Sequence, residues 1–286
     1  MRICRYNDNR IGVVRGTLVH DATEIVNDLP AVRYNFPIGD PLIARLDELR
    51  PRMEKLADAA KGVPVSSVKL LSPVANPSKI MGTPVNYKAH EAEAQADKGI
   101  SFGRAAKPIE EQGLFLKANS ALVGPSEGVA LRFPDRRTDH EAELGVIIGR
   151  TGSDIPYDKA FDYIAGYCIA LDMVVRGPED RSFRKSIDSY AVAGPWLVTK
   201  DEIPDPERLD FFISVGGTVK QRSNTSLMVM NIARQISWGS TFYTLHPGDV
   251  LMTGTCEGVS QVKPGDVMHL EFDRIGAMDV PVRAFR

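Results

Sequence analysis

Cysteine is scarce in this chain. The three residues present, Cys4, Cys168 and Cys256, lie far apart and form no C-x-x-C arrangement, which argues against a disulfide framework and a structural zinc site. A reducing cytoplasm is the expected compartment. Charge of one sign is also lacking: 35 Lys and Arg stand against 37 Asp and Glu, a formal net charge of -2. Without the basic excess that a phosphate backbone demands, nucleic acid is not an expected partner. Long apolar runs are missing too. The N-terminus MRICRYNDNRIG has no signal-peptide core, and the longest greasy stretch, residues 164–175, is interrupted by Asp172, so no membrane span is expected. What remains is 286 residues, 43% apolar and 25% charged, enough to bury the core of a soluble globular protein.

Two units are expected, a small N-terminal α+β domain over residues 1–75 and a larger domain over 76–286. The first reads as short strands at 1–6, 11–17 and 18–20, then an amphipathic helix carrying Ile43, Leu46, Leu49, Met53 and Leu56 at helical spacing. Residues 69–79, KLLSPVANPSK, with two prolines and little periodicity, read as a linker. Residues 87–99 are rich in Ala, Glu, Gln and Lys and predict a helix; with the polar, glycine-bearing stretch that follows they suggest a mobile cover. Beyond it, β-rich runs at 144–148, 211–215, 250–253 and 267–272 alternate with turns, and helices are expected at 157–164 and 227–238. Pro247-Gly248-Asp249 and Pro264-Gly265-Asp266 are near-identical turn signals, each opening a strand. Seventeen residues apart and not repeated further, they read as a local hairpin device.

Glu141 and Glu143, in DHEAELGVIIGR, lead straight into a β-branched run. On a strand, residues two apart share a face, so both carboxylates can converge on one cation; a solvated strand face is the plainer alternative. Asp172 sits inside GYCIALDMVVR, a segment otherwise fit for the core, where an unpaired charge is costly. Arg176 or Lys185 could pair with it, or a metal shared with Glu141 and Glu143 could neutralise all three. Such an oxygen-only donor set suits Mg²⁺, Mn²⁺ or Ca²⁺ and not Zn²⁺. His90 and Glu93 fall three apart on the predicted helix, where a carboxylate can orient an imidazole as general base, or where both simply face solvent. Lys185 offers an ammonium for a developing enolate, though a surface lysine is the ordinary reading.

These fragments occur together and in a recognisable order. Val85-Asn86-Tyr87 with His90 and Glu93 is followed by Phe115-Leu116-Lys117 with Ser120, then by Glu141-x-Glu143-Leu144 running into Ile147-Ile148-Gly149. Gly166-Tyr167, Asp172 with Arg176, Lys185-Ser186 with Asp188, and Gly194-Pro195 come next. Gln221, Asn224-Thr225, Met228, Gly248-Asp249-Val250 and Thr253-Gly254-Thr255 complete the series. From about Lys79 to the C-terminus the chain resembles the fumarylacetoacetate hydrolase family, in its acylpyruvase-like and 2-hydroxyhepta-2,4-diene-1,7-dioate isomerase-like C-terminal domain.

The resemblance implies an α+β main domain built on a mixed β-roll or β-sandwich, a homodimer, and Mg²⁺ or Mn²⁺ held at Glu141, Glu143 and Asp172. It implies that His90 and Glu93 lie on a lid and activate a water, that Lys185 contacts the 2-oxo acid substrate, and that Thr255, Arg176 and Lys117 lie near the pocket. The activity implied is hydrolysis of the C–C bond of a 2,4-diketo acid of the acylpyruvate or fumarylpyruvate type, in catabolism of aromatic compounds or sugar acids. Alternatives are an oxaloacetate-type decarboxylase or 2-oxo-dioate isomerase on the same platform, or a non-catalytic ligand-binding homologue. Departures from the family pattern, Met81-Gly82-Thr83-Pro84-Val85, Cys256 after Thr255, Val174-Val175 before the arginine and Gly216-Gly217-Thr218, bear on substrate identity and touch no expected ligand.

Overall fold

Alternation of apolar side chains decides which faces of the strands are buried, and in this protein both faces are covered. The computed structural model describes residues 1–103 and 107–285. In chain order the elements that place the site are β1 (Arg2–Tyr6), β2 (Arg10–Arg15), β3 (Leu18–Asp21), α1 (Leu46–Ala59), β4 (Ile80–Gly82), α2 (Lys88–Ala96), β5 (Phe115–Lys117), β6 (Ala142–Ile148), β7 (Ile164–Asp172), α3 (Arg181–Lys185), β8 (Ala191–Thr199), β9 (Asp210–Val215), β10 (Thr218–Asn224), α4 (Ile232–Gly239), β11 (Val250–Met252), β12 (Val267–Phe272) and β13 (Gly276–Ala284).

A twelve-stranded sheet runs Val63–Pro64, β3, β2, β1, β8, β7, β6, β11, β4, β5 along its main path. The antiparallel pairing of β1 with β8, Ile3 opposite Leu197, joins the N-terminal strands to it. A second sheet runs β10, β9, β12, β13 and then Val129–Leu131. Along β6, Leu144, Val146 and Ile148 pack with Ile213, Leu270 and Phe272 of the second sheet in one core cluster. Ile147 instead joins Leu46, Leu49 and Met53 of α1, with Cys168 and Ala170 of β7, in the other. This is a sandwich with a helical layer on its outer side, set by the period-2 pleat, and it is the α+β fold expected.

The two Pro-Gly-Asp turns share one geometry. Gly248 and Gly265 both take positive φ, +86° and +97°, and Asp249 and Asp266 accept from the backbone N–H three residues earlier, both at 2.7 Å. They do not form a hairpin device. The first opens β11, between β6 and β4, and the second opens β12 in the other sheet, because a turn residue fixes where a strand starts and not which strand it meets. The helix expected at 227–238 begins at Ile232, where the Asn231 side chain accepts from Arg234 N (2.9 Å) as an N-cap. Residues 157–164 form a 3₁₀ helix, Tyr157–Tyr163. The cover expected over 87–113 contains residues 104–106, which lie outside the described residues; the rest includes α2 and the short helices Lys98–Ser101 and Ile109–Gln112.

Candidate active site

Strand register brings the acidic residues together. In the β6–β7 pair, Glu143 lies opposite Ala170 and Ala142 opposite Leu171, and Asp172 N donates to Glu141 O at 2.9 Å. Glu141, Glu143 and Asp172 thus share the face that carries Ile147, Cys168 and Ala170. All three are buried, and one carboxylate oxygen from each lies within 4.8 Å of the others. Small neighbours, Ala170, Ala191 and Ala193, leave room for the three side chains.

Cations meet two of these carboxylates directly. Lys185 Nζ donates to Glu141 Oε2 at 2.5 Å and also to Asp172; Lys117 donates to the other oxygen of Asp172. Arg176 bridges Glu141 Oε1 (3.0 Å) and Asp139 Oδ2 (2.9 Å). Burial works against ionisation of Glu141, yet Lys185 and Arg176 overcome it and hold its pKa well below the usual carboxylate range. Lys185, in contrast, is raised: desolvation works against its charge, but Asp172 and Glu141 outweigh it. Lys117, the most enclosed, is lowered by burial despite Asp172.

Glu143 differs. Its Oε2 accepts from Gly254 N at 2.7 Å, and among the described residues no ion pair reaches it. Burial, then the charge of Asp172, pushes its pKa well above the ordinary value. Gly254 can offer its N–H because it takes φ +99°, with Asn86 2.4 Å from where a Cβ would stand, so only glycine fits this turn. A buried carboxylate short of cation, beside two others, with oxygen donors only, fits a hard divalent ion; such an ion would draw Glu143 into its charged form.

Above this floor, His90 is buried on α2 and its Nδ1 lies 2.8 Å from Glu93 Oε2. The other Glu93 oxygen accepts from Gly258 N at 2.9 Å. His90 therefore faces inward while Glu93 is half-buried, and the Nδ1 contact leaves Nε2 for a ligand. His90, Glu141, Glu143, Arg176, Lys185 and Thr255 line one cavity of about 420 Å³. The Thr255 hydroxyl is already engaged, donating to Ala142 O (2.9 Å) and accepting from Gln221 Nε2 (2.7 Å). Lys117 is not among the cavity-lining residues described: its side chain is fully buried behind Asp172. There it forms an ion pair with Asp172, the carboxylate partner that a lysine at that depth needs.

Sequence reasoning missed Asp139, which sits between Arg176 and Arg137, the latter at 2.8 Å. The signal was present: Asp139, Glu141 and Glu143 continue one two-residue period. It also missed Arg181, Gln112, Ile100 and Phe102 on the cavity wall, which carry no motif.

The chain is similar to known proteins along its length. Residues 79–283 match the family model described as fumarylacetoacetate (FAA) hydrolase C-terminal. The chain is 51% identical over 286 residues to the maleylpyruvate hydrolase of Aquipseudomonas alcaligenes, covering 99% of this chain and 100% of that one. It is 36% identical to the 2,4-didehydro-3-deoxy-L-rhamnonate hydrolase of Sphingomonas sp. (strain SKA58), over 82% and 85% of the two chains. Among solved structures, the maleylpyruvate hydrolase of Sphingobium sp. SYK-6 in complex with manganese(II) and pyruvate superposes with a TM-score of 0.84 at 34% identity, over the full length of both chains.

Proposed function

Since this chain belongs to the fumarylacetoacetate hydrolase family and is a metal-dependent hydrolase of a ketonic C–C bond, we propose that its substrate is a 2,4-diketo acid of the maleylpyruvate type. The observation that carries this reading is the set of three buried carboxylates on the floor of a cavity whose wall presents an inward-facing histidine. Glu141, Glu143 and Asp172 would hold Mg²⁺ or Mn²⁺. When bound, the ion supplies Lewis-acid polarisation of a 2-oxo acid.

The chain's own residues account for the rest. Glu93, itself fixed by Gly258, holds His90 with Nδ1 as donor, so Nε2 is free to take a proton from a water attacking the C4 carbonyl. Lys185, already against Glu141 and Asp172, stabilises the negative charge that develops on the departing three-carbon fragment as C3–C4 breaks. That fragment takes up a proton at C3 and leaves as pyruvate; the acyl portion leaves as its carboxylate. Arg176 orients Glu141 from the side and lines the cavity, and Thr255 supports the Ala142 backbone beside it.

A cytoplasmic homodimer is part of the same reading. Three free, buried cysteines support a reducing compartment, and among the described residues no helix is long and apolar enough to cross a membrane. The dimer rests on the resemblance, and sedimentation equilibrium checks it. The activity is tested by ultraviolet loss of the enol band of maleylpyruvate with stoichiometric pyruvate release in Mg²⁺ or Mn²⁺. Release of CO₂, or isomerisation without pyruvate, would replace the hydrolytic reading.

A further inference from the structure

The pairing of β11 with β6 stops short of the carboxylates. Its register runs from Gly145 opposite Met252 to Ile147 opposite Val250, so Ala142, the fully buried residue between Glu141 and Glu143, has no β11 residue opposite it. Buried backbone groups need partners, and two side chains take the place of a strand. Ala142 N donates to Gln221 Oε1 at 3.0 Å, and Ala142 O accepts from Thr255 Oγ1 at 2.9 Å. Gln221 Nε2 closes the circuit, donating to Thr255 Oγ1 at 2.7 Å and to Cys256 O at 2.8 Å.

Each bond dictates the next. Cys256 O can only accept and Ala142 N can only donate, so the amide of Gln221 has one possible orientation; Thr255, whose oxygen accepts from Gln221, keeps its proton for Ala142 O. His140 Nδ1 lies 3.1 Å from the same amide oxygen and therefore carries the hydrogen, while its Nε2 meets Ser260 Oγ at 2.9 Å. The setting of Gln221 is unlike that of its neighbours. β10 is an edge strand of the second sheet, and Gln221, 1% exposed, is its one fully buried residue. The loop after Thr255 rests on the same point of β10: a Cβ on Gly258 would come within 2.0 Å of Lys220 O, and Gly258 N is the donor that holds Glu93.

We propose that Gln221 is a positioning residue for the acidic floor: through the backbone of Ala142 it sets the approach of the Glu141 and Glu143 carboxylates, and through the same amide it sets the direction of the Thr255 hydroxyl. The inference rests on the reading of Glu141, Glu143 and Asp172 as a metal site. Gln221 is not among the cavity-lining residues described and acts from behind Thr255. Glu141 and Glu143 hang on either side of Ala142, so loosening that residue shifts both carboxylates relative to Asp172, which stands on β7.

The test titrates the full chain with Mn²⁺ calorimetrically and records the electron paramagnetic resonance spectrum of the bound ion at saturation. Q221M keeps the length of the side chain and removes the amide. It should weaken Mn²⁺ binding about 10- to 100-fold, as loss of a group that orients metal ligands does, and alter the zero-field splitting of the bound ion, which a lower stability alone does not move. Q221N keeps an amide one methylene too short to reach both Ala142 N and Cys256 O; it serves if Q221M does not fold, with the same losses expected. T255V breaks the circuit at its other member, so the double variant should be little worse than Q221M alone. A folded Gln221 variant whose Mn²⁺ affinity stays within about twofold of the parent, or whose spectrum matches the parent's, overturns the proposal. Strictly additive losses in the double variant overturn it too. A parent that binds no Mn²⁺ overturns the metal reading together with this one, whereas parental binding that the Gln221 variants leave intact overturns this one alone.

Discussion

The floor of the cavity and its cover are built in opposite ways. The floor belongs to the middle of the large sheet, where every residue of β6 is buried and the three clustered carboxylates are placed by backbone register. The cover, as described, includes helices of nine, four and four residues, largely half-buried or exposed. It is tied down by a few polar contacts: Glu93 to Gly258, Asp97 to Arg137, Gln112 to Arg181. The contrast assigns a different task to each region. The floor presents concentrated charge that only a rigid frame can hold together, whereas on the proposed reading the cover would admit a ligand and then bring His90 to it, which suits weak, separable ties. Damage to the floor should therefore register in stability and metal affinity, and damage to the cover in turnover.

Asp172→Asn is the change that should widen the contrast most. It removes the charge that faces both Lys117 and Lys185, leaving two buried ammonium groups without that partner, and breaking a buried pair costs about 3–5 kcal/mol. Denaturant unfolding should show that loss, and Mn²⁺ titration should show no binding at concentrations that saturate the parent. Excess chelator should abolish parental activity, and Mg²⁺ or Mn²⁺ should restore it. An Asp172→Asn protein as stable and as metal-avid as the parent would place the ion elsewhere.

His90→Ala is the matching change in the cover. A general base contributes about 10²–10⁴-fold, so kcat on a diketo acid should fall by that order while Mn²⁺ affinity and the unfolding midpoint stay close to parental values. Parental kcat in this variant would remove the water-activating role of His90 and Glu93.

The same division explains what was legible in the sequence. Period-2 alternation set against a core-like run exposed Glu141, Glu143 and Asp172, because strand geometry makes side-chain direction a local property. The order of short motifs identified the family, and with it the fold. The depth of Lys117 behind Asp172 was not legible, because it follows from the pairing of β5 with β4 at the sheet's edge, a contact no local pattern encodes. The Pro-Gly-Asp turns show the same limit, since identical local chemistry opened strands in two different sheets. Arg181 and Gln112 meet only because the cover folds back over α3, so neither stands out in its own segment.

Hydrogen exchange sharpens the comparison at smaller amplitude. Amides of β6 should exchange slowly with or without ligand, whereas those of α2 and Lys98–Ser101 should exchange faster in the free protein and slow several-fold on addition of Mn²⁺ and a 2-oxo acid. Slow, ligand-indifferent exchange across α2 would make it a fixed wall and not a cover.

The smallest effect is expected where the two regions are joined. Arg137 donates to Asp139 Oδ1 at 2.8 Å and to Asp97 Oδ2 at 2.7 Å; Asp97 ends α2 and caps the next helix, and its carboxyl is held below the usual range chiefly by that bond. Asp139 in turn accepts from Arg176, which reaches Glu141, so a line of ion pairs runs from the floor to the end of the His90 helix. The Arg137–Asp97 pair is only half-buried, and a solvent-accessible pair of this kind contributes little. Arg137→Met should therefore lower kcat/KM on a diketo acid by only about 3- to 10-fold, through poorer placement of α2, and leave Mn²⁺ affinity near the parental value. Asp97→Asn should act through the same bond, so the double variant should be little worse than either single one, a coupling that a double-mutant cycle measures directly. Strict additivity would show that Arg137 supports Asp139 alone and that floor and cover are positioned independently.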